Sequence, residues 1–564
     1  MAEVITETIL PGTYITVNTE GLLGVGPLAT GNIGIVGTAE RGSTEIQTLS
    51  SAEDARARFG QPGLWDRSAP DENLSLARSV QLLFDNGAST VYAARVMATE
   101  DNSANGVQAS KGAAFTIGAA SGAGTLTLQA RTPGTWGNRV QIRSEPADAE
   151  DQVQNELLVR SSSGFALSAQ QVGAAGATDP ATSLGSVSVR EHGLSQRYTL
   201  TTGPASADSV QLNAADRTLT FNTAPGADAE VRASYRVPKE ALCKVTIQYG
   251  NQKEQYITPS LSNLNQQLQD APSGLVIAAG PNGDGLPKIS NRFDSFTGGT
   301  NGTVALSHYI DALEGFVTIP VQIVMVAGQP FSRVKSALLA HVEKTENLGH
   351  ERIAIVGADS SDVSKILANA NDVADKRVVL VAPGLLQTDP DSGETIELPP
   401  TFAAAAIAGK LASLAPPISI TNKTLSGIDA LAADYNYGDL KALVQNRVLA
   451  LEMRRGVRVV KGITTDDQAF AQITLRRIVD YVKEGTRIGA NQYIGRLNNT
   501  RVRENLRTTL DGFLASLQRD DFLTGYKITV FADRAMEING EVRVIMDLNP
   551  TFSIDVIRVV MNLS

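Results

Sequence analysis

The chain has 564 residues, 42% apolar and 19% charged, which is enough apolar material for large cores and about three or four domains. A formal net charge of −10 argues against a general binder of nucleic acid or of an anionic membrane. A single cysteine, Cys243, excludes an intrachain disulfide, and no run approaches the ~18 apolar residues of a membrane-crossing helix.

The opening MAEVITETIL lacks a basic stretch and a long apolar core, so no signal peptide is expected. With the lone cysteine, that fits a reducing assembly compartment. Two short strand signals, EVITETIL and TYITVNT, flank Pro11-Gly12, and Tyr14, Ile15 and Val17 suit a strand. This arm holds too few apolar residues to form a core alone. NIGIVGTAE reads as a buried strand. SSAEDARARFG reads as a helix capped by Ser50 or Ser51 and closed by Gly60. NLSLARSVQLLFDNGAS predicts a second helix, ended by Asn86-Gly87, and TVYAARVM the next strand. That order begins an α/β domain.

Residues 113 to 289 change character. Short period-2 segments recur there, among them TLTLQA, NRVQIRS, SVSVREH, AEVRASYRV and CKVTIQYG, with turn residues every 8 to 12 positions. This predicts a β-sandwich or small barrel. From about 300 the α/β pattern returns: HYIDALEGF, RVKSALLAHVEKTENLGH and AAAAIAGKLASL as helices, and PVQIVMVAG, RIAIVGA and RVVLVAPG as buried strands. The β-rich stretch is therefore an insertion that splits one α/β domain.

After 441 come two amphipathic helices, then strands. Phe470, Ile473, Ile478, Val479 and Val482 share one helical face; Val502, Leu506, Leu510, Phe513 and Leu517 share another. YKITVFA and EVRVIMDLN follow as strands. From Thr551 the sequence predicts one last strand, with Phe552, Ile554, Val556 and Val560 on one face and Ile557, Val559, Met561 and Leu563 on the other. A terminal strand apolar on both faces needs a partner on each.

Chemistry is sparse. His192, His308, His341 and His350 form no metal-binding pair, Cys243 reads as a buried structural thiol, and no nucleophile elbow occurs. Gly24-x-Gly26 precedes a strand instead of following one, so the dinucleotide context fails. Gly409-Lys410 resembles half a phosphate loop but lies in an alanine-rich helix. Asp466-Asp467 and Asp520-Asp521 suit helix boundaries, and Asp429, Asp434 and Asp439 a turn. No catalytic residue, cofactor site or metal site is assigned.

Four segments together resemble the contractile phage tail sheath family: LPGTYITV with NIGIVGTAERG, RTPGTWGNRVQI, GGTNG at 298–302, and the block from RRIVDYVKEG to the end. The fold expected is α/β and α+β multidomain: an α/β core split by a β-sandwich or barrel-like insertion, a C-terminal α+β domain, and extended β arms at both termini. The expected parts are an N-terminal β arm over 1–24, core over 25–144, an inserted β-rich outer domain over 145–289, core over 290–440, a tube-facing C-terminal domain over 441–548, and a β arm over 549–564.

The resemblance implies a structural subunit, not an enzyme, without cofactors. It would polymerise as stacked rings in a helical sheath around a tail tube, store energy in a metastable extended state, and contract to drive the tube through the host envelope. Arms of neighbouring subunits would exchange as strands, with Tyr14, Ile15, Val17, Phe552, Ile554, Val556, Ile557, Val559 and Met561 in the joints. Arg503 and Arg507 are the residues expected to face the tube. Baseplate and tail terminator proteins are further expected partners, without direct nucleic-acid contact or membrane insertion. The expected location is the virion, after assembly in the host cytoplasm. The sheath of a bacteriocin or extracellular contractile injection system is the near alternative, and an α/β enzyme with a β-rich accessory domain the distant one.

Overall fold

A strand covered on both faces must be apolar on both, and four segments meet that demand at every position. Ile33–Gly37, Ile323–Val326, Ile353–Gly357 and Val378–Ala382 are buried throughout. The computed structural model describes residues 28–562 except 64, 66–72, 102–107, 150, 159, 162–163, 170–184, 214–216 and 390–392. The four strands lie in one eight-stranded sheet, in the order 47–49, 91–95, 33–37, 323–326, 353–357, 378–382, 448–453, 457–459. The six central strands run parallel, and the two edge strands antiparallel to their neighbours.

Alternate side chains feed two cores. Ile33, Ile35, Met325 and Ile355 meet the helices Leu76–Asp85 and Pro400–Ala412. Val36, Val324, Val356 and Leu380 meet the helices Leu306–Gly315, Phe331–Asn347 and Val363–Asn371. Pro400–Ala412 is buried almost all round. A Cβ on its Gly409 would lie 2.2 Å from the Leu83 carbonyl oxygen, so the two helices touch backbone to side-chain-free backbone. That contact explains the glycine of the apparent half phosphate loop.

Residues up to Met97 and from Val304 on form one compact unit; Ala98–Thr303 form a second. The second unit is wider than the 145–289 of the sequence reading because its pairing is non-local. Ala114–Gly118 pairs with Thr125–Ala130, which pairs with Val276–Asn282, and Gln141–Pro146 pairs with Cys243–Tyr249. Their core holds Trp136, Ile142, Val245 and Leu264. Two glycine-rich turns clasp each other here: Asn138 Nδ2 donates to the Gly299 carbonyl at 2.9 Å, and the Gly299 amide donates back to Asn138 Oδ1 at 2.8 Å. The Thr135 amide adds a bond to Asn301 Oδ1 at 3.0 Å.

The rest of this unit is an eight-stranded sheet over its own core of Val187, Leu200, Val231 and Tyr235. Its two edge strands, Asp151–Leu158 and Arg160–Ser161, are consecutive in the chain. A sheet whose opposite edges adjoin in sequence has to curl back on itself, which gives the barrel-like form.

The last region packs the helices Ile473–Asn491 and Thr500–Arg519 on a hairpin of Leu523–Phe531 and Arg543–Pro550. Leu506, Leu510, Phe513 and Leu517 are buried, as their spacing predicts, and Val502 packs beside them. Ile473, Ile478 and Val482 are buried too, while Val479 is only half-buried. Gly485 lets the helices close: a Cβ there would enter the Phe513 ring.

Candidate functional site

The polar groups singled out from sequence take structural roles. Asp439 forms a capping box with Asn436 at the helix Tyr437–Gln445, and Asp429 accepts from the Thr388 amide and hydroxyl. Asp466 accepts from the Phe470 amide at 2.8 Å. Cys243 is buried, which pushes its thiol up to about 12, far from a reactive thiolate. His192 sits exposed at a tight turn with φ 48°. Gly24 and Gly26 lie outside the described residues. Among those described, no three His, Cys, Asp or Glu side chains gather to hold a metal ion, and no helix is long and apolar enough to cross a membrane.

What remains is a surface of unmet backbone and apolar demand. Among the described residues the terminal hairpin is a sheet of only two strands. Each strand therefore has one edge with no ladder partner. The inward face, with Ile528, Val530, Val544 and Met546, covers the two helices, while Phe531 and Ile545 point outward and are exposed.

Beyond the hairpin the sequence predicts a strand from Thr551. In the single chain residues 551–562 form no ladder, because a strand exists only where another backbone takes its N–H and C=O groups. Phe552, Ile554, Val556, Ile557, Val559 and Met561 are 62–84% exposed. The start of this tail is fastened. The Thr551 amide donates to the Phe522 carbonyl at 3.1 Å, and Asp555 meets Lys461 Nζ at 3.3 Å and Gln472 Nε2 at 3.4 Å. The anchor escaped the sequence reading. Its one signal was a charge interrupting an apolar run, which does not name its partner. Tyr14, Ile15 and Val17 lie outside the described residues.

The two arginines of the outer helix differ. Arg503 Nη1 donates to Glu537 Oε1 at 3.0 Å and to Asn498 Oδ1 at 2.9 Å, and its side chain is largely buried. Hydrogen bonds from Arg503 and Arg534 hold the Glu537 carboxyl below the usual carboxylate range. Arg503 thus ties its helix to the short helix Arg534–Ile538. Arg507 is exposed on the flank and pairs with its helical neighbour Glu504 at 2.9 Å.

An ion-pair cluster braces the helix Ile473–Asn491 on the α/β core. Buried Arg377 makes paired bonds to Asp480, at 2.8 and 3.0 Å, and to Glu346, at 2.9 and 2.8 Å. Arg476 adds a second cation on Asp480, at 2.7 Å. The Arg377 hydrogen bonds hold Glu346 far below the usual carboxylate range, against the opposing effect of burial. Lys483 and Arg487 pair with Glu351 at the same junction.

Residues 302–465 match the model of the phage tail sheath protein central domain, and residues 465–564 that of the phage tail sheath C-terminal domain. The chain is 26% identical over 277 residues to the tail sheath protein of Bacillus phage SP01, covering 46% of this chain and 47% of the relative. It is also 26% identical over 243 residues to that of Mycobacterium phage Bxz1, covering 40% and 41%. The chain thus spans less than half the length of the curated relatives it matches. Its fold is similar to the sheath tail protein of Desulfitobacterium hafniense, with TM-score 0.58 and 15% identity over 96% of this chain and 100% of the other. The Listeria innocua sheath tail protein is similar at TM-score 0.52 and 14% identity, over 94% and 98%.

Proposed function

We propose, on the match of residues 302–564 to the phage tail sheath central and C-terminal domain models, that the chain is the structural subunit of a contractile tail sheath. Subunits polymerise as stacked rings in a helix around a tail tube, held in a metastable extended state. Contraction drives the tube through the host envelope, and no nucleotide chemistry is called on. The subunit belongs to the virion and is assembled in the host cytoplasm, with tube, baseplate and tail terminator proteins as partners. Arg507, with Arg503 beside it, faces the tube.

One observation carries this reading: an exposed apolar tail beside a two-stranded sheet with open edges. Each is costly alone and each supplies what the other lacks. A neighbour's tail laid on a hairpin edge satisfies both backbones. Each net backbone hydrogen bond gives about 0.5–1.5 kcal/mol, against about 1–2 kcal/mol to order each residue. Burial of Phe552, Ile554, Val556 and Ile557 tips that balance. A single joint is then marginal and a lattice of them cooperative. Residues 1–24, with Tyr14, Ile15 and Val17, supply a second joint.

The test is truncation after Pro550. The shortened chain is expected to keep its circular dichroism and melting profile yet form no tubes or striated sheaths by negative-stain microscopy. Normal polymerisation would sink the arm-exchange reading.

A further inference from the structure

The curled sheet of the inserted unit opens at one end. In its hairpin Gly185–Glu191 and Leu194–Thr201, cross-strand pairs set Val187 opposite Tyr198, Val189 opposite Gln196, and Glu191 opposite Leu194. Opposed residues of an antiparallel pair share a face. The same face therefore runs from the closed core at Val187 to an open rim at Glu191 and Leu194. Tyr198 lies between, half-buried, edge-on to Phe221 with ring centroids 5.7 Å apart. The groove so formed holds about 1310 Å³ of open space, solvent included, and residues 222–225 make its far wall.

That wall is fixed in place. Arg160 Nη2 donates to the Pro225 carbonyl at 2.5 Å, and the Gly226 amide donates to Glu191 Oε2 at 3.4 Å. A Cβ on Gly226 would lie 2.2 Å from Glu191 Oε1, so the carboxylate is held tightly against the wall's backbone. The Ser206–Ser209 turn, closed by a hydrogen bond of 3.1 Å from the Ser206 amide to the Ser209 carbonyl, supports the remaining side.

We propose that this mouth binds a neutral saccharide. Barrel mouths are common ligand sites, with an apolar floor and a few fixed polar groups. Here the floor is Val189 and the Tyr198 ring, which suits the C–H face of a sugar. The rim carries planar carboxylate and amide groups from Glu191, Gln196 and Asn222, which suit adjacent hydroxyls. No lysine or arginine is among the described lining residues, which disfavours phosphate, sulfate and nucleic acid. A lipid would find too polar a rim. An extended peptide would find only the short edge of Leu194–Tyr198, since pairing with Ser209–Asn213 begins at Thr199.

The test uses the full chain in saturation-transfer difference NMR. The probes are neutral oligosaccharides built of hexoses, deoxyhexoses and N-acetylhexosamines, with a sulfated polysaccharide for comparison. At least one neutral class is expected to receive saturation through its C–H protons. Tyr198→Ala and Glu191→Gln are each expected to weaken that binding at least tenfold, while Arg190→Ala, on the opposite sheet face, leaves it unchanged. If Tyr198→Ala does not fold, Gln196→Ala at an exposed position takes its place. The proposal is overturned if no neutral saccharide receives saturation, if only the sulfated probe binds, or if the rim variants bind as the parent does.

Discussion

His341 lies buried with its Nε2 3.1 Å from Arg352 Nη1. Burial first and the neighbouring Arg352 charge second push the imidazole pKa down to about 4. The folded chain thus favours the neutral ring, while the unfolded chain protonates it near an ordinary value of ~6.5. Stability from this site is complete above that value and is lost as pH falls from about 6.5 towards 4. Melting temperatures across that window are expected to fall less steeply in His341→Gln than in the parent; equal slopes would assign the acid sensitivity elsewhere. Arg503 and Arg507 separate at the same scale. Charge reversal at Arg503 sets two carboxylates against each other at Glu537 and disturbs the subunit itself. Arg507→Glu removes an exposed helical pair and sets the new carboxylate near Glu504 and Asp511, effects that solvent screens and that are worth little in stability. It is therefore the clean probe of the tube: unchanged melting with lost tube co-sedimentation is expected, and retained co-sedimentation would remove Arg507 from that contact.

Periodicity decided which helices and strands could be anticipated. Val502, Leu506, Leu510, Phe513 and Leu517 recur at helical spacing, and the structure buries all but Val502 fully. The apolar runs at Ile353–Gly357 and Val378–Ala382 likewise told of a sheet covered on both faces. Contacts between elements left no such trace. Nothing in GKLAS announces that Gly409 meets the Leu83 carbonyl. At an exposed helical position glycine to alanine stabilises by about 0.8–1.0 kcal/mol. Here the added methyl meets rigid backbone, and overpacking costs about 1–3 kcal/mol. Gly409→Ala is expected to lower the midpoint of urea unfolding; a raised midpoint would mean that the two helices part easily.

At the scale of the whole molecule, residues 98–303 form a compact unit of their own, where the sequence expectation set the insertion at 145–289. Residues 98–144 look like core because they precede the β-rich stretch, yet their strands pair with segments more than a hundred residues away. The PGTWGN and GGTNG turns were visible as motifs, while their clasp through Asn138 and Gly299 was not. The terminal strand differs from its expectation: among the described residues, 551–562 pair with no other strand. Since the inserted unit closes its own two cores, replacing residues 98–303 by a short glycine–serine linker is expected to leave polymerisation intact. Failure of that variant to form tubes, with the remainder folded, would give the unit a part in assembly. The anchor at Asp555 sets a length as well as a position. Beyond it, each extended residue adds at most about 3.6 Å of reach. If neighbouring subunits exchange this tail as proposed, the number of residues between the Lys461 anchor and the joint bounds how far two bodies can slide and turn before one of the two tears.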